Sequence, residues 1–155
     1  MCHTVSIMQL KDITKEAIII SENASFGEAL DLMLNQHTNT LLVSDEEGKL
    51  SGEVSVNDLF DGIVPMNMDG DEATALLKDE SAFVEAVKAA RETPVFDFMS
   101  SDFTAVRPDD SILEVAAIAV SHQRGRIPVV DHSDRPIGII SRQGLKQILG
   151  SYIGS

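Results

Sequence analysis

Two stretches of the chain, "LSGEVSVNDLF" and "PIGIISRQGLK", share one frame: an apolar run, Gly-x-x-Ser, a residue three places on, then Leu. Gly52, Ser55 and Asp58 fill the first copy; Gly138, Ser141 and Gly144 fill the second. A serine that closes an apolar run and is followed three residues later by a carboxylate has the composition of a helix start. Such a start presents unbonded N–H groups and the positive end of the helix dipole, which suits an anion. The carboxylate of Asp58 adds an acceptor able to take both hydrogen bonds of a cis-diol. Ser-x-x-Asp also caps a helix with no ligand involved. The frame thus occurs twice and keeps its carboxylate once.

Positive charge is placed just as unevenly. The net charge is −13, and residues 1–63 hold eleven acidic against three basic groups. Five of the six arginines, Arg107, Arg124, Arg126, Arg135 and Arg142, fall in the last third. An acidic chain is soluble and a poor partner for nucleic acid, although a small anion can bind where arginines converge. Other chemistry is thin. His3, His37, His122 and His132 have no metal-ligand spacing, and His37 and His122 fall where matching helices end. Neither a Gly-x-Ser-x-Gly elbow nor a Walker loop occurs, and Asp109/Asp110 and Glu46/Glu47 read as solvated turn residues. "NMDGDE" hints at a calcium loop, but Pro65 and Leu76 would occupy positions that need carboxylates. The expectation is a protein that is not an enzyme. One cysteine, Cys2, excludes an internal disulfide. No apolar run approaches membrane-spanning length and the first residues do not read as a signal peptide, so a cytoplasmic location with no membrane partner is expected.

The elements that position the frame come from a duplication. Shifted by 86 residues, the two ends register without a gap: Ser25 falls on Ser111, Glu28 on Glu114, Val43 on Val129, Asp45 on Asp131, Gly52 on Gly138 and Ser55 on Ser141. The lead-ins "QLKDIT" and "VFDFMS" agree in character. Each copy reads as strand, helix, strand, strand, helix. Strands are predicted at Ala17 to Ile20 and Phe103 to Val106, and capping boxes at Ser25/Glu28 and Ser111/Glu114 start the helices "FGEALDLMLNQ" and "ILEVAAIAVSH". These helices are apolar over more than half their circumference and are expected to be buried on two sides. "TLLVSD" and "RIPVVD" then lead, through turns at Gly48 and Asp134, to "LSGEV" and "PIGII", with Ser55 and Ser141 as N-caps. Between the copies, "PMNMDGDE" has turn chemistry and "SAFVEAVKAARETP" reads as an amphipathic helix with Phe83, Val87 and Ala90 on one side. The division is therefore repeat one over 8–63, a helical insert over 64–93 and repeat two over 94–153, forming one compact module. The fold class is α/β.

With "PDDSILEVA", "RIPVVD" and "GIIS" in that order, twice at constant offset, the chain resembles a tandem cystathionine β-synthase (CBS) domain pair. The resemblance covers both repeats and omits the insert. It implies two pseudo-symmetric β-α-β-β-α repeats packed sheet to sheet, and a stand-alone regulatory role. It further implies clefts between the repeats that take adenine nucleotides or S-adenosyl compounds, and a homodimer. In the family frame, Gly-hydrophobic-x-Ser/Thr-x-x-Asp, the Asp holds ribose hydroxyls and the Ser/Thr and helix start face phosphate. Gly52, Ser55 and Asp58 match it, with Glu53 in place of the usual apolar residue. By this resemblance one site comprises Val54, Ser55 and Asp58, with Thr104, Val106 and Pro128 on the adenine side and Arg126 and Arg142 near phosphate. Arg126 has Thr40 as its counterpart in the first repeat. The opposite site, with Ile18, Ile20, Leu42, Ile140 and Ser141, lacks both the Asp and the arginine and is expected to be weak or empty. A ribose-binding carboxylate serves AMP, ADP, ATP and S-adenosyl compounds alike. Two other readings remain open: a dimerisation or interaction module that binds no nucleotide, and a regulator acting in trans on a separate, unidentified protein.

Overall fold

A computed structural model of the chain describes residues 8–64, 68–122 and 126–153. Cys2, His3, Pro65 and Arg124 lie outside the described residues. In chain order the elements are α1 (Leu10–Ile13), β1 (Thr14–Lys15), β2 (Ile19–Ser21), α2 (Phe26–Gln36), β3 (Thr40–Ser44), β4 (Leu50–Ser55) and α3 (Val56–Ile63). They continue with α4 (Gly70–Lys78), α5 (Glu80–Ala90), α6 (Val95–Phe98), α7 (Ile112–Ser121), β5 (Ile127–Val130), β6 (Pro136–Ile140) and α8 (Arg142–Ile153). The chain is α/β and divides into two compact units. The acidic unit comprises 18–47 and 51–101, with seventeen acidic against three basic residues; the arginine unit comprises 1–17, 48–50 and 102–155. No described helix is long and apolar enough to cross a membrane.

In the acidic unit the sheet order is β2-β3-β4, and β2 runs parallel to β3 with Ile20 opposite Val43. Ser25 starts α2 by accepting the Glu28 N–H at 3.1 Å, and His37 ends it in the left-handed conformation at φ 53°. Ile20, Phe26, Ala29, Met33, Leu41, Val43 and Val54 form the core with Leu59 and Ile63, and Phe26 meets Phe98 edge to face at 5.4 Å. The insert holds two helices rather than a turn and one helix. The Asp-Gly pair that reads as a turn is a helix start: Asp69 accepts the Glu72 N–H at 2.8 Å and so caps α4. Asp79 caps α5 in the same way, and α5 lays Phe83 and Val87 against the core and buries Ala90.

In the arginine unit the order is β1-β6-β5, with both pairings antiparallel. Leu10, Ile13, Val106, Ile112, Val115, Ile127, Val129, Ile140 and Ile148 make its core. The expected strand from Phe103 to Val106 is reduced to a single parallel bridge, Val106 to Val129. Proline accounts for the loss. In the acidic unit the Leu42 N–H donates to the Ile18 carbonyl at 2.9 Å. The position 86 residues on is Pro128, which has no N–H to give to Thr104. Only the Val106 N–H to the Pro128 carbonyl and the Val130 N–H to the Val106 carbonyl, both 2.9 Å, remain. The two hairpin turns match, with positive φ at Gly48 (81°) and at Asp134 (65°).

Each lead-in belongs to the unit of the other repeat. Thr14 and Lys15 of β1 pair with Ile140 and Ile139 of β6, while Ser100 bridges Glu53 of β4. Glycine permits both crossings. A Cβ at Gly138 would stand against Thr14 Cγ2 and 2.9 Å from the Lys15 carbonyl; one at Gly52 would lie 2.7 Å from Met99 Sδ and 2.8 Å from the Ser100 carbonyl. The helices depart from the expected two-sided burial. Leu34 of α2 is 63% exposed, and Leu113 and Val120 of α7 are 65% and 80% exposed.

Candidate functional site

The duplicated frame resolves into two helix starts of different chemistry. At the first, Ser55 closes β4 and is the N-cap of α3, and its Oγ accepts the Asp58 N–H at 3.3 Å. Asp58 answers with one oxygen: Oδ2 accepts the Ser55 N–H at 2.8 Å and the Ser55 hydroxyl at 3.1 Å. The capping box is complete, and α3 carries its own compensating negative charge in its first turn. Both bonds fall on Oδ2, so Oδ1 takes no part in the cap. Leu59 and Ile63 anchor the helix in the core and hold Asp58 half-buried beside the strand end.

At the second start, Ser141 precedes α8 and its Oγ lies 3.5 Å from the Gly144 nitrogen, with the Leu145 N–H donating to its carbonyl at 3.0 Å. Gly144 is buried, and a Cβ there would stand 3.1 Å from the Ile13 carbonyl and 3.2 Å from Ile140 Cγ2. The end of α1 occupies the space a side chain would need. The missing carboxylate thus has a packing cause within the unit: an Asp at 144 would press its carbon skeleton against a backbone oxygen.

Cations gather at this second start. Ile127 pairs with Ile140, so Arg126, half-buried just ahead of β5, is next to Ser141 across the ladder. Arg142, exposed, is the first residue of α8. Neither makes an ion pair among the described residues, whereas Arg107 binds Asp134 at 2.6 Å and Arg91 lies 3.9 Å from Glu92. Arg135 belongs to the β5–β6 turn, where its backbone N–H donates to Asp131. Unit by unit, the acidic one offers Ser55 with the Asp58 carboxylate, and the other offers Ser141 with Arg126 and Arg142 and with Gly144 at the position of that carboxylate.

The remaining residues singled out from the sequence fall on two sheets. Val54 and Ile20 are core residues of the acidic unit, and Val106 and Ile140 of the arginine unit, so a contact from them would use backbone groups. Leu42 and Pro128 are buried, whereas Ile18 and Thr104 are half-buried. Two cavities lie elsewhere. One of about 560 Å³ between α2, α3 and α5 is lined by Leu30, Met33, Leu34, Phe60 and Phe83 among others; one of about 570 Å³ is bordered by Lys11, Asp109, Asp110, Ser111 and Tyr152. Neither includes Ser55, Asp58, Arg126 or Arg142. Among the described residues no three His, Cys, Asp or Glu groups gather as a metal site. The exchanged lead-ins went unread in the sequence, although a glycine in each of two matched strands is the signal of a close backbone approach.

Comparison with known proteins agrees with this architecture. The CBS domain family matches the chain twice, over residues 10–65 and 95–151. The uncharacterized protein MJ1426 of Methanocaldococcus jannaschii is 31% identical over 92% of both chains. The CBS domain of a CBS domain-containing membrane protein from Sphaerobacter thermophilus superimposes with a TM-score of 0.74 at 23% identity, covering 92% of this chain and 89% of that one. The CBS domain pair of protein MJ0100, solved with 5′-methylthioadenosine and S-adenosyl-L-methionine, gives a TM-score of 0.64 at 21% identity, over 92% and 99% of the two chains.

Proposed function

Because the chain belongs to the CBS domain family and carries two of its domains in tandem, we propose that it is a regulatory module that binds an adenine nucleotide or another adenosyl compound. One observation carries the reading: the duplicated helix starts have diverged into a carboxylate-bearing one at Asp58 and a cationic one at Arg126 and Arg142. Each start by itself suits one kind of group that an adenosyl compound carries, a diol at the first and an anion or polar tail at the second. Asp58 Oδ1 accepts from ribose hydroxyls, while Oδ2 keeps its place in the cap. A phosphate is disfavoured beside Asp58, whose charge already serves the start of α3, and favoured beside Arg126 and Arg142 with the uncompensated start of α8. Thr104 and Pro128 supply the adenine side. The structural relative MJ0100 binds two adenosyl compounds, which supports the class and leaves the individual ligand to experiment.

Signalling follows by linkage: a ligand that binds one conformation better shifts the population by the ratio of its affinities. The chain also self-associates in this reading, because Leu34 and Val120, equivalent positions on α2 and α7, both hold large apolar side chains in water.

The test is a thermal-shift titration with AMP, ADP, ATP and S-adenosylmethionine beside Asp58→Ala. A ligand at a hundred times its Kd adds about 2.7 kcal/mol, or roughly 5–10 °C at this chain length. The variant lowers the ligand-free Tm by about 3 °C through the lost cap, so the ligand-induced increment is the quantity compared. An increment present in the wild type and absent in the variant supports the reading. No increment at millimolar ligand leaves Asp58 a helix cap and favours the interaction module that binds no nucleotide.

A further inference from the structure

The two units treat the start of their matching helices α2 and α7 differently. In the acidic unit the chain leaving α5 runs along the start of α2. The Phe26 N–H donates to the Thr93 carbonyl at 2.8 Å, and the Gly27 N–H to the Arg91 carbonyl at 3.0 Å. In return the Val95 N–H donates to the Ala24 carbonyl at 2.7 Å and the Phe96 N–H to the Glu22 carbonyl at 3.0 Å, while Ser25 bridges Pro94. Two amides of the first turn, which an α-helix leaves without internal partners, are thereby served.

The shift of 86 residues sets Ser111, Ile112 and Leu113 of α7 on Ser25, Phe26 and Gly27, and Met8, Gln9 and Leu10 on Pro94, Val95 and Phe96. In the arginine unit, however, no backbone bond among the described residues joins Gln9 or Leu10 to Asp110 or Pro108. The cavity of about 570 Å³ lies there instead, bordered by Met8, Gln9, Leu10, Ser111, Ile112 and Leu113 among others. Its opening has a local cause. The Gln9 N–H, equivalent to that of Val95, donates to Asp12 Oδ2 at 2.9 Å and is used up within its own segment. The counterpart of Asp12 is Phe98, which has no acceptor and packs on Phe26. The Ile112 and Leu113 N–H groups have no partner among the described residues.

We infer that this cavity is a docking groove for the chain's own segment Val5–Ile7, which lies outside the described residues. Reach favours that occupant: Met8 borders the cavity, and Ile7 is its neighbour in the chain, one Cα step of about 3.8 Å away. The duplication favours it too, because Val5, Ser6 and Ile7 fall on Arg91, Glu92 and Thr93, the stretch that fills the same place in the acidic unit. The acceptors needed are two backbone carbonyls two residues apart, so the unlike side chains of the two stretches serve equally well. A Cβ at Gly27 would stand 3.4 Å from the Arg91 carbonyl and 3.2 Å from Arg91 Cγ, a side-chain atom free to turn aside. Leu113 in place of that glycine therefore leaves the path open. Docked there, the segment accepts the Ile112 N–H at Ile7 and the Leu113 N–H at Val5, and it straps α1 to α7.

The test uses the full chain and nuclear magnetic resonance. Amide hydrogen exchange is read at Ile112 and Leu113, with Phe26 and Gly27, already bonded to Thr93 and Arg91, as internal standards. Ile112 and Leu113 are expected to exchange at least about tenfold more slowly than unbonded amides, the worth of one to two neutral hydrogen bonds. Scalar coupling across the hydrogen bond then names the acceptor, and it is expected between the Ile112 nitrogen and the Ile7 carbonyl carbon, and between Leu113 and Val5. Exchange at the unbonded rate overturns the inference, since the groove is then open. Slow exchange with coupling to any other carbonyl, or with none to Ile7 and Val5, overturns it as well, because a different occupant, a second copy of the chain included, then serves the two amides.

Discussion

The close crossing at Gly138 can be tested by adding one carbon. In Gly138→Ala the new Cβ meets Thr14 Cγ2 and the Lys15 carbonyl at 2.9 Å, and the latter is backbone that cannot rotate away. Relief requires β1 to move off β6. Overpacking of this kind costs about 1–3 kcal/mol. Loosening the pairs Thr14–Ile140 and Lys15–Ile139 adds about 1–2 kcal/mol, and replacing a strand glycine returns about 0.5–1 kcal/mol. The net is a destabilisation of about 2–4 kcal/mol, or a Tm roughly 6–12 °C lower. The control is Gly150→Ala in α8, where a Cβ meets nothing within 4 Å. That variant gains about 1 kcal/mol of helix propensity and rises by about 3 °C. Urea denaturation at constant m-value, run beside the thermal melts, separates a stability change from a change in the unfolded state. Equal Tm values for the two variants would show that the lead-in does not lie against β6, and the account of the duplicated glycine would be wrong with it.

Two further outcomes are expected beyond the ligand titrations. Val120→Glu on α7 should leave the stability of the isolated chain within about 0.5 kcal/mol, the range of exposed positions, yet abolish self-association measured by light scattering. A variant that remains associated takes the α7 face out of the interface. Asp131 should titrate below its ordinary value of 3.8, chiefly because it accepts the Arg135 N–H, against a smaller opposing desolvation and with help from the Ser133 N–H. A carboxyl with a depressed folded pKa stabilises above its unfolded value and loses that contribution as pH falls through the folded one. Carboxyl NMR titration reads the midpoint, and one at or above 3.8 contradicts the turn geometry.

What the sequence disclosed follows the range of the forces involved. Helices α2 and α7 could be bounded closely because each carries its own signal, Ser25 or Ser111 three residues ahead of a glutamate. Ser55 could be named as a cap for the same reason. The start of α4 was hidden because Asp-Gly serves turns and helix starts alike, and only the bond from the Glu72 N–H to Asp69 decides between them. Pro128 was visible, but its consequence was not, since the N–H it lacks would have gone to Thr104 in a different segment of the chain. The asymmetry of the frame was legible as Asp58 against Gly144; its cause, the Ile13 carbonyl above position 144, depends on a contact more than a hundred residues away in the chain.

The crossing of the lead-ins also sets an order of events in the cell. Thr14 leaves the ribosome long before its sheet partner, Ile140, has been made. At about 5–20 residues per second the wait lasts many seconds. Through that interval the earlier half of the chain can assemble β2, β3 and β4 but must hold its own first segment unpaired. Half a gene would therefore not encode half of this protein: a nascent fragment ending in the insert would keep an unused strand and lack the one it needs. Pairings this distant in sequence also slow the search for the native state, so the duplication obliges both copies to mature together.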